Sequence, residues 1–170
     1  KVRASVVRAT SAALDEIATA IDRVRPLAPD LRWTSAAQWH LTLVFLGEVD
    51  ADRLPELSTR LERAARRHQP MPLAFGAAGK FDGRVLWLGV RGNRTALAGL
   101  AGSTAAAARR TGIVIEDRRY RPHLTLARSS TPVNLTVLVA ELDGFSGSEW
   151  AAAEIELIQS QLGQGSPRYQ

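Results

Sequence analysis

Cysteine is absent from this 170-residue chain. That excludes a disulfide framework, a thiolate nucleophile and cysteine-ligated zinc or iron–sulfur centres. No apolar run reaches the roughly 18 residues a membrane-spanning helix needs. The longest weakly polar stretch, Thr95–Ala108, is broken by Gly102, Ser103 and Thr104 and reads as an ordinary helix. Nothing near the start resembles a signal peptide, since Val2–Ala9 is short and carries Arg3 and Arg8. Lysine is nearly missing: only Lys1 and Lys80 contribute to the 22 basic residues. Histidine is scarce too, with three in the whole chain. No strand-like segment leads into a glycine-rich phosphate loop, so neither a dinucleotide fingerprint nor a Walker A motif is present.

What is there is globular in kind. The hydrophobic fraction is 45% and the charged fraction 23%, which excludes disordered and collagen-like chains. A chain of this length buries roughly 70% of the surface its unfolded form exposes, so it needs no metal or disulfide to hold it together. The formal charge is +5, almost all of the basic side chains being arginine. Guanidinium groups grip phosphate oxygens through paired hydrogen bonds, which fits an RNA or nucleotide partner. A GC-rich genome would also favour arginine and alanine codons.

Hydrophobic periodicity sketches the elements. Val2–Val7 reads as a strand. Leu14, Ile17, Ala18, Ile21 and Val24 recur at helical spacing behind an N-cap at Thr10 or Ser11, and Pro26 and Pro29 end that helix. Trp39–Leu46 reads as an apolar strand closed by Gly47. Leu54, Leu57, Leu61 and Ala65 mark a second helix with Arg60, Arg63, Arg66 and Arg67 outward. Met71–Ala77 and Val85–Val90 form a hairpin around Asp82–Gly83. Asn93 caps a third helix ending at Gly112. Ile113–Ile115 and His123–Ala127 read as strands, Pro132 opens a short helix reaching Leu142, Glu154–Ser160 alternates as a strand, and Gly163–Gln170 reads as turn. This order predicts an α+β fold with helices over antiparallel sheet.

One tetrapeptide occurs twice: His40-Leu41-Thr42-Leu43 and His123-Leu124-Thr125-Leu126. The copies are half a chain apart and use two of the three histidines. On a strand, His and Thr of each copy point to one face and the leucines to the other. The leucines anchor each strand in the core, and two imidazoles and two hydroxyls converge if the copies occupy corresponding strands of two similar lobes. One imidazole can then take a proton from an attacking oxygen while the other gives a proton to a leaving oxygen, on opposite sides of a phosphorus atom. An unperturbed pKa near 6.5 suits both roles. The threonine hydroxyls can bond the non-bridging oxygens, where charge grows in the transition state. Two histidines without an acidic neighbour are thin ligation for zinc or iron, so the motifs argue against a metal site.

These paired His-x-Thr-x motifs resemble those of the two-histidine (2H) phosphoesterases. The extended segments Trp39–Val49 and Tyr120–Arg128 are similar to the RNA 2′,3′-cyclic phosphodiesterase branch, also called the 2′–5′ RNA ligase branch. Phe81-Asp82-Gly83-Arg84-Val85-Leu86-Trp87, Leu157–Leu162 and Tyr169 extend the likeness, whereas a Phe-x-Ala type of start is absent from Val2–Val6. The resemblance implies one domain over residues 1–170 built of two pseudo-symmetric lobes around a central cleft, each lobe an antiparallel sheet backed by helices. It implies metal-independent hydrolysis of RNA 2′,3′-cyclic phosphate ends to 2′-phosphate, with ligation as the reverse reaction. His123 would be the proton acceptor, His40 the proton donor, and Thr42 and Thr125 the phosphate holders. No cofactor is implied, and a cytoplasmic monomer is expected.

Other residues carry weaker readings. Arg128 has opposite strand parity to His123 and reaches the phosphate only if the strand twists or ends there. Tyr120 is a candidate for contact with a base. Trp39 flanks the first motif, and Phe45, of opposite parity to His40, is expected in the core. Arg118, Arg119 and Arg121 form a basic cluster able to steer RNA phosphates. His68 is expected to be exposed and idle, and Asn134-Leu135-Thr136 is a sequon without a role. Two alternatives stay open: a small-nucleotide substrate such as ADP-ribose 1″,2″-cyclic phosphate or a 2′–5′ oligoadenylate, and a non-catalytic binder of RNA ends.

Overall fold

In a computed structural model, residues 2–161 and 168–169 are described. Leu162 and residues 163–167 and 170 of the expected tail lie outside them. Nine strands and four α-helices form among the described residues. The strands are β1 (Val2–Val7), β2 (Arg32–Trp33), β3 (Leu41–Val49), β4 (Met71–Phe81), β5 (Val85–Gly92), β6 (His123–Arg128), β7 (Trp150–Ala152), β8 (Glu156–Gln161) and β9 (Arg168–Tyr169). The helices are α1 (Ser11–Val24), α2 (Leu54–Ala65), α3 (Arg94–Arg110) and α4 (Thr136–Leu142). The fold is α+β. One sheet has the order β3-β1-β8-β9 and the other β2-β6-β5-β4-β7, and every pairing is antiparallel. The two His-Leu-Thr-Leu copies fall on β3 and β6, one in each sheet.

Local chemistry explains the helix ends. Thr10 Oγ1 accepts the Ala13 amide at the start of α1, and Asn93 Oδ1 accepts the Ala96 amide at the start of α3; each satisfies a donor the helix leaves over. Leu57, Leu61 and Ala64 of α2 and Ala107 and Ala108 of α3 bury against Val44, Leu46 and Val49 of β3. Ile17 and Ile21 of α1 and Leu138 and Leu142 of α4 belong to the larger core, with Leu73, Phe75, Leu86, Leu88, Leu124 and Leu126 of the second sheet. That same core takes in Val7, Leu41 and Leu43 of the first sheet. Leu41 and Leu43 meet Leu124 and Leu126 in it, so the apolar halves of both motifs anchor one continuous interior, which fixes the polar halves relative to each other.

Several boundaries differ from expectation. Gly47 does not close its strand; β3 runs through it to Val49. β4 runs on to Phe81 through Ala77, whose φ is 59°. Asp82 and Gly83 both take positive φ in the hairpin turn, and a Cβ on Gly83 would lie 2.9 Å from the Val133 carbonyl oxygen, so glycine is required twice over. Ile113–Ile115 is not a strand. Its alternation is real, with Ile113 and Ile115 packed on the core and Val114 93% exposed, but no neighbouring strand pairs with it. α4 starts only at Thr136, four residues after Pro132. The short strands β2 and β7 have too few residues to show a period, and Arg168–Tyr169 pairs with β8 rather than turning.

Candidate active site

Both motifs contain the same irregularity. On β1, Ser5 and Val6 are adjacent, but they pair with Val44 and Thr42 of β3, so Leu43 is an extra residue. On β5, Leu86 and Trp87 are adjacent, but they pair with Ala127 and Thr125 of β6, so Leu126 is an extra residue. Each bulge falls on the second leucine of its copy. A bulge inserts one residue and inverts the facing of everything beyond it. Val85 and Trp87 lie on one face of β5 and pair with Arg128 and Thr125; Arg128 therefore shares the face of Thr125 and His123. By the same count Phe45 shares the face of Thr42 and His40.

This resolves the parity of two residues. Arg128 is brought to the histidine face by the bulge and not by the strand's ending. Its charge also acts on His40 of the other motif, which ties the two copies into one electrostatic site. Phe45, expected in the core, is 66% exposed. Its side chain leaves the core because Leu43 occupies the extra position; Leu43 itself is buried.

His123 opens β6, half-buried. Its Nδ1 lies 2.7 Å from the Arg121 carbonyl oxygen. A carbonyl can only accept, so Nδ1 carries a proton, and in the neutral ring the lone pair is on Nε2. Phe81 meets the imidazole edge-on at 5.0 Å between centroids, and Trp87 lies 6.2 Å away. Trp87 in turn lies on the backbone of Gly79, where a Cβ would come within 2.1 Å of the indole. Gly79 is thus the space that lets the Trp87–Phe81 pair, 5.2 Å apart, wall one side of His123.

His40 stands immediately before β3 and is held differently. Burial is the main cause that lowers its pKa below the usual imidazole value, and the positive charges of Arg8 and Arg128 act in the same direction. A hydrogen bond to the backbone of Gln38 and the charge of Glu156 oppose the shift. Arg8 was not visible as a site residue in sequence: it is one arginine among many, just past β1. Its Nε bonds Glu156 Oε2 at 2.7 Å and its Nη1 bonds the Ala37 carbonyl at 3.1 Å, bracing the segment that carries His40.

Thr42 and Thr125 are both half-buried, each paired across its sheet, with Val6 and Trp87 respectively. Tyr120, a candidate for base contact, is half-buried and packed against the core, and its hydroxyl donates to the Thr42 carbonyl at 3.1 Å. Burial pushes its phenol pKa up, so it stays a donor throughout the working pH range. Trp39 is buried, with Nε1 donating to Thr34 Oγ1 at 2.8 Å. Arg118, Arg119 and Arg121 are exposed in the irregular segment before β6, where Arg118 pairs with Glu116. His68, expected to be exposed, is half-buried and bonds Ser103 Oγ at 2.8 Å, tying the turn after α2 to α3. Asn134 accepts the Thr136 amide at the entry to α4.

The set comprises two imidazoles, two hydroxyls and a guanidinium, and its charge is positive. It suits a substrate with one anionic tetrahedral centre and proton transfers on two sides. Among the described residues no helix is long and apolar enough to cross a membrane.

The sequence is similar to known proteins over nearly its whole length. Residues 13–164 match the model of the 2′-5′ RNA ligase superfamily. The RNA 2′,3′-cyclic phosphodiesterase of Escherichia coli strain K12 is 35% identical over 147 residues, covering 85% of this chain and 75% of the relative. That of Bacillus subtilis strain 168 is 33% identical over 150 residues, covering 85% and 80%. The crystal structure of Escherichia coli LigT complexed with 3′-AMP superimposes with a TM-score of 0.79 at 27% identity, covering all of this chain and 93% of that one.

Proposed function

Because the chain belongs to the 2′-5′ RNA ligase superfamily, we propose that it is an RNA 2′,3′-cyclic phosphodiesterase whose two histidines hydrolyse the cyclic phosphate to a 2′-phosphate. The relatives that match over most of their length carry that activity in their names. The observation that carries the mechanism is the shared face of His123, Thr125 and Arg128, with the Arg128 charge felt at His40.

The substrate's phosphodiester monoanion sits among Thr42, Thr125 and Arg128, which bond its non-bridging oxygens. Water approaches the phosphorus opposite the 3′ oxygen. His123 Nε2 takes the water proton, its Nδ1–H held on the Arg121 carbonyl. The new P–O bond forms, the bond from phosphorus to the 3′ oxygen breaks, and His40 delivers a proton to that oxygen. Water is consumed, and the products are a free 3′ hydroxyl and a 2′-phosphate. His40 must be protonated to do this, although burial and two arginines disfavour the imidazolium in the free protein. The bound phosphate anion offsets those arginines and so favours the imidazolium. The reaction needs no divalent ion. Ligation to a 2′–5′ linkage follows the same path with a 5′ hydroxyl in place of water: His123 takes the hydroxyl proton, the bond from phosphorus to the 3′ oxygen breaks, and His40 protonates that oxygen.

Phe45 offers an exposed aromatic face beyond Thr42, suited to stacking on a base of the RNA end. The chain works as a monomer in this reading, since both motifs come from one polypeptide. Phosphorus NMR in EDTA, with adenosine 2′,3′-cyclic phosphate and a short cyclic-phosphate-ended RNA, tests the proposal. A 2′-phosphate should appear for both. No turnover of either substrate would contradict it, and a rate that vanishes only in EDTA would replace it with a metal-dependent mechanism.

A further inference from the structure

We propose that Thr34 and Tyr120 are positioning residues, Tyr120 strapping the β3 bulge to the segment before His123 and Thr34 linking the β6 bulge, through the Trp39 indole, to the segment before His40. The proposal rests on the mechanism above for its kinetic consequences and on geometry alone for its existence.

The observation is a correspondence between hydrogen bonds that the sequence does not repeat. In the first motif, the carbonyl just before the extra residue is that of Thr42, and it accepts from Tyr120 Oη at 3.1 Å. In the second motif the equivalent carbonyl is that of Thr125, and it accepts from Thr34 Oγ1 at 2.9 Å. Thr34 Oγ1 also lies 2.9 Å from the carbonyl of Leu126, the extra residue itself, which accepts the Thr34 amide at 2.9 Å as well. Each donor lies shortly upstream of the opposite histidine. Tyr120 precedes His123 by three positions. Thr34 is joined to the residue before His40 through the Trp39 indole, 2.8 Å away.

A bulge takes its carbonyls out of the regular ladder, so they need other donors. Here Tyr120 supplies one from the segment before β6, and Thr34, which follows β2 and extends its pairing with β6 in the same sheet, supplies the other while accepting the Trp39 indole from the β3 side. The consequence is geometric. The bulge sets which way the Thr42 and Thr125 hydroxyls, Phe45 and Arg128 project. Tyr120 bonds the β3 bulge directly across the two sheets and Thr34 ties the β6 bulge to Trp39, so the relative placement of the two motifs depends on both. Apolar contact between Leu41, Leu43, Leu124 and Leu126 holds the lobes together but tolerates sliding; a directed hydrogen bond does not. Proton transfer on two sides of one phosphorus atom is sensitive to such sliding, because a misplacement of about 1 Å costs up to 10²-fold.

Thr34→Val and Tyr120→Phe each remove one hydroxyl and keep the side-chain shape. Each should lower kcat about tenfold or more while KM stays within about twofold, and Thr34→Ser should restore most of the rate. A merely structural role would lower the melting temperature and leave kcat at temperatures where the variant is folded. Unchanged kcat in both folded variants overturns the proposal. The substrate-independent arm is a set of amide residual dipolar couplings from β3 and β6. One alignment tensor should fit both strands in the wild type, and the fit should degrade in Tyr120→Phe and further in the double variant. An equally good single-tensor fit in the variants overturns the straps whether or not the protein turns over cyclic phosphate. Loss of wild-type turnover with the couplings behaving as expected would instead overturn the mechanism and leave the straps standing.

Discussion

The two copies of His-Leu-Thr-Leu have the same backbone and different surroundings. Each carries an extra residue at its second leucine, and on each histidine the backbone two residues before it acts, raising the pKa of His40 from Gln38 and accepting from His123 Nδ1 at Arg121. Around β3 the half-buried histidine is braced by Arg8 and Glu156, with Phe45 projecting beyond the bulge. Around β6 the histidine is walled by Phe81 and Trp87, with Arg128 projecting beyond the bulge. A duplicated scaffold therefore presents equivalent groups on two strands that share one core, and the position after each bulge, aromatic in one copy and cationic in the other, makes the halves unequal. In the proposed mechanism that inequality would let one half face the base and the other the phosphate, and let one histidine give a proton while its counterpart takes one.

The comparison breaks most severely at the histidines. His40→Ala and His123→Ala should each lower kcat by about 10²–10⁴ with the fold intact, as expected for loss of one general acid or base. Steady-state kinetics with circular dichroism on the same samples checks this. The residues beyond the bulges sharpen the contrast. Arg128→Ala should cost about 10- to 100-fold in kcat/KM on any cyclic phosphate, the worth of a charge-assisted bond to the anion. Phe45→Ala should cost about fivefold or more, mainly in KM and only on substrates that carry a base beside the phosphate. Equal losses from the two on a base-free cyclic phosphate would erase the proposed division of labour.

The smallest effect concerns stability. His40 has its pKa lowered by burial first and then by Arg8 and Arg128. Below the ordinary value of about 6.5 the unfolded chain takes up a proton that the folded chain resists. Stability contributed at that site is present above about pH 6.5 and is lost as pH falls toward the lower folded value. Urea midpoints should decline across that interval, and His40→Ala should flatten the decline.

Much of this site was legible in the sequence and some of it could not be. The repeated tetrapeptide located both histidines and both threonines, because strand alternation is a local property. The α+β order, the Asn93 cap and the Asp82–Gly83 turn were legible for the same reason. The bulges were not, since a bulge is a relation between two strands, and neither Leu43 nor Leu126 differs from an ordinary core leucine. Facing beyond the bulge was consequently misjudged for Phe45 and left undecided for Arg128. Arg8, Thr34 and the bond from Tyr120 to Thr42 come from segments far away in sequence, and no period or motif marks them. Ile113–Ile115 failed in the opposite sense: its alternation was present, but a strand also requires a neighbour.

The most direct test of unequal halves uses a leaving group that needs no proton. A 2′,3′-cyclic phosphate with sulfur in place of the bridging 3′ oxygen expels a stable thiolate, so a general acid becomes dispensable while a general base does not. Rates of His40→Ala and His123→Ala should be measured on this substrate and on its oxygen parent. The account predicts that sulfur restores most of the rate to His40→Ala and little to His123→Ala. Restoration of His123→Ala instead would reverse the two roles, and restoration of neither would contradict proton donation to the leaving oxygen by either histidine.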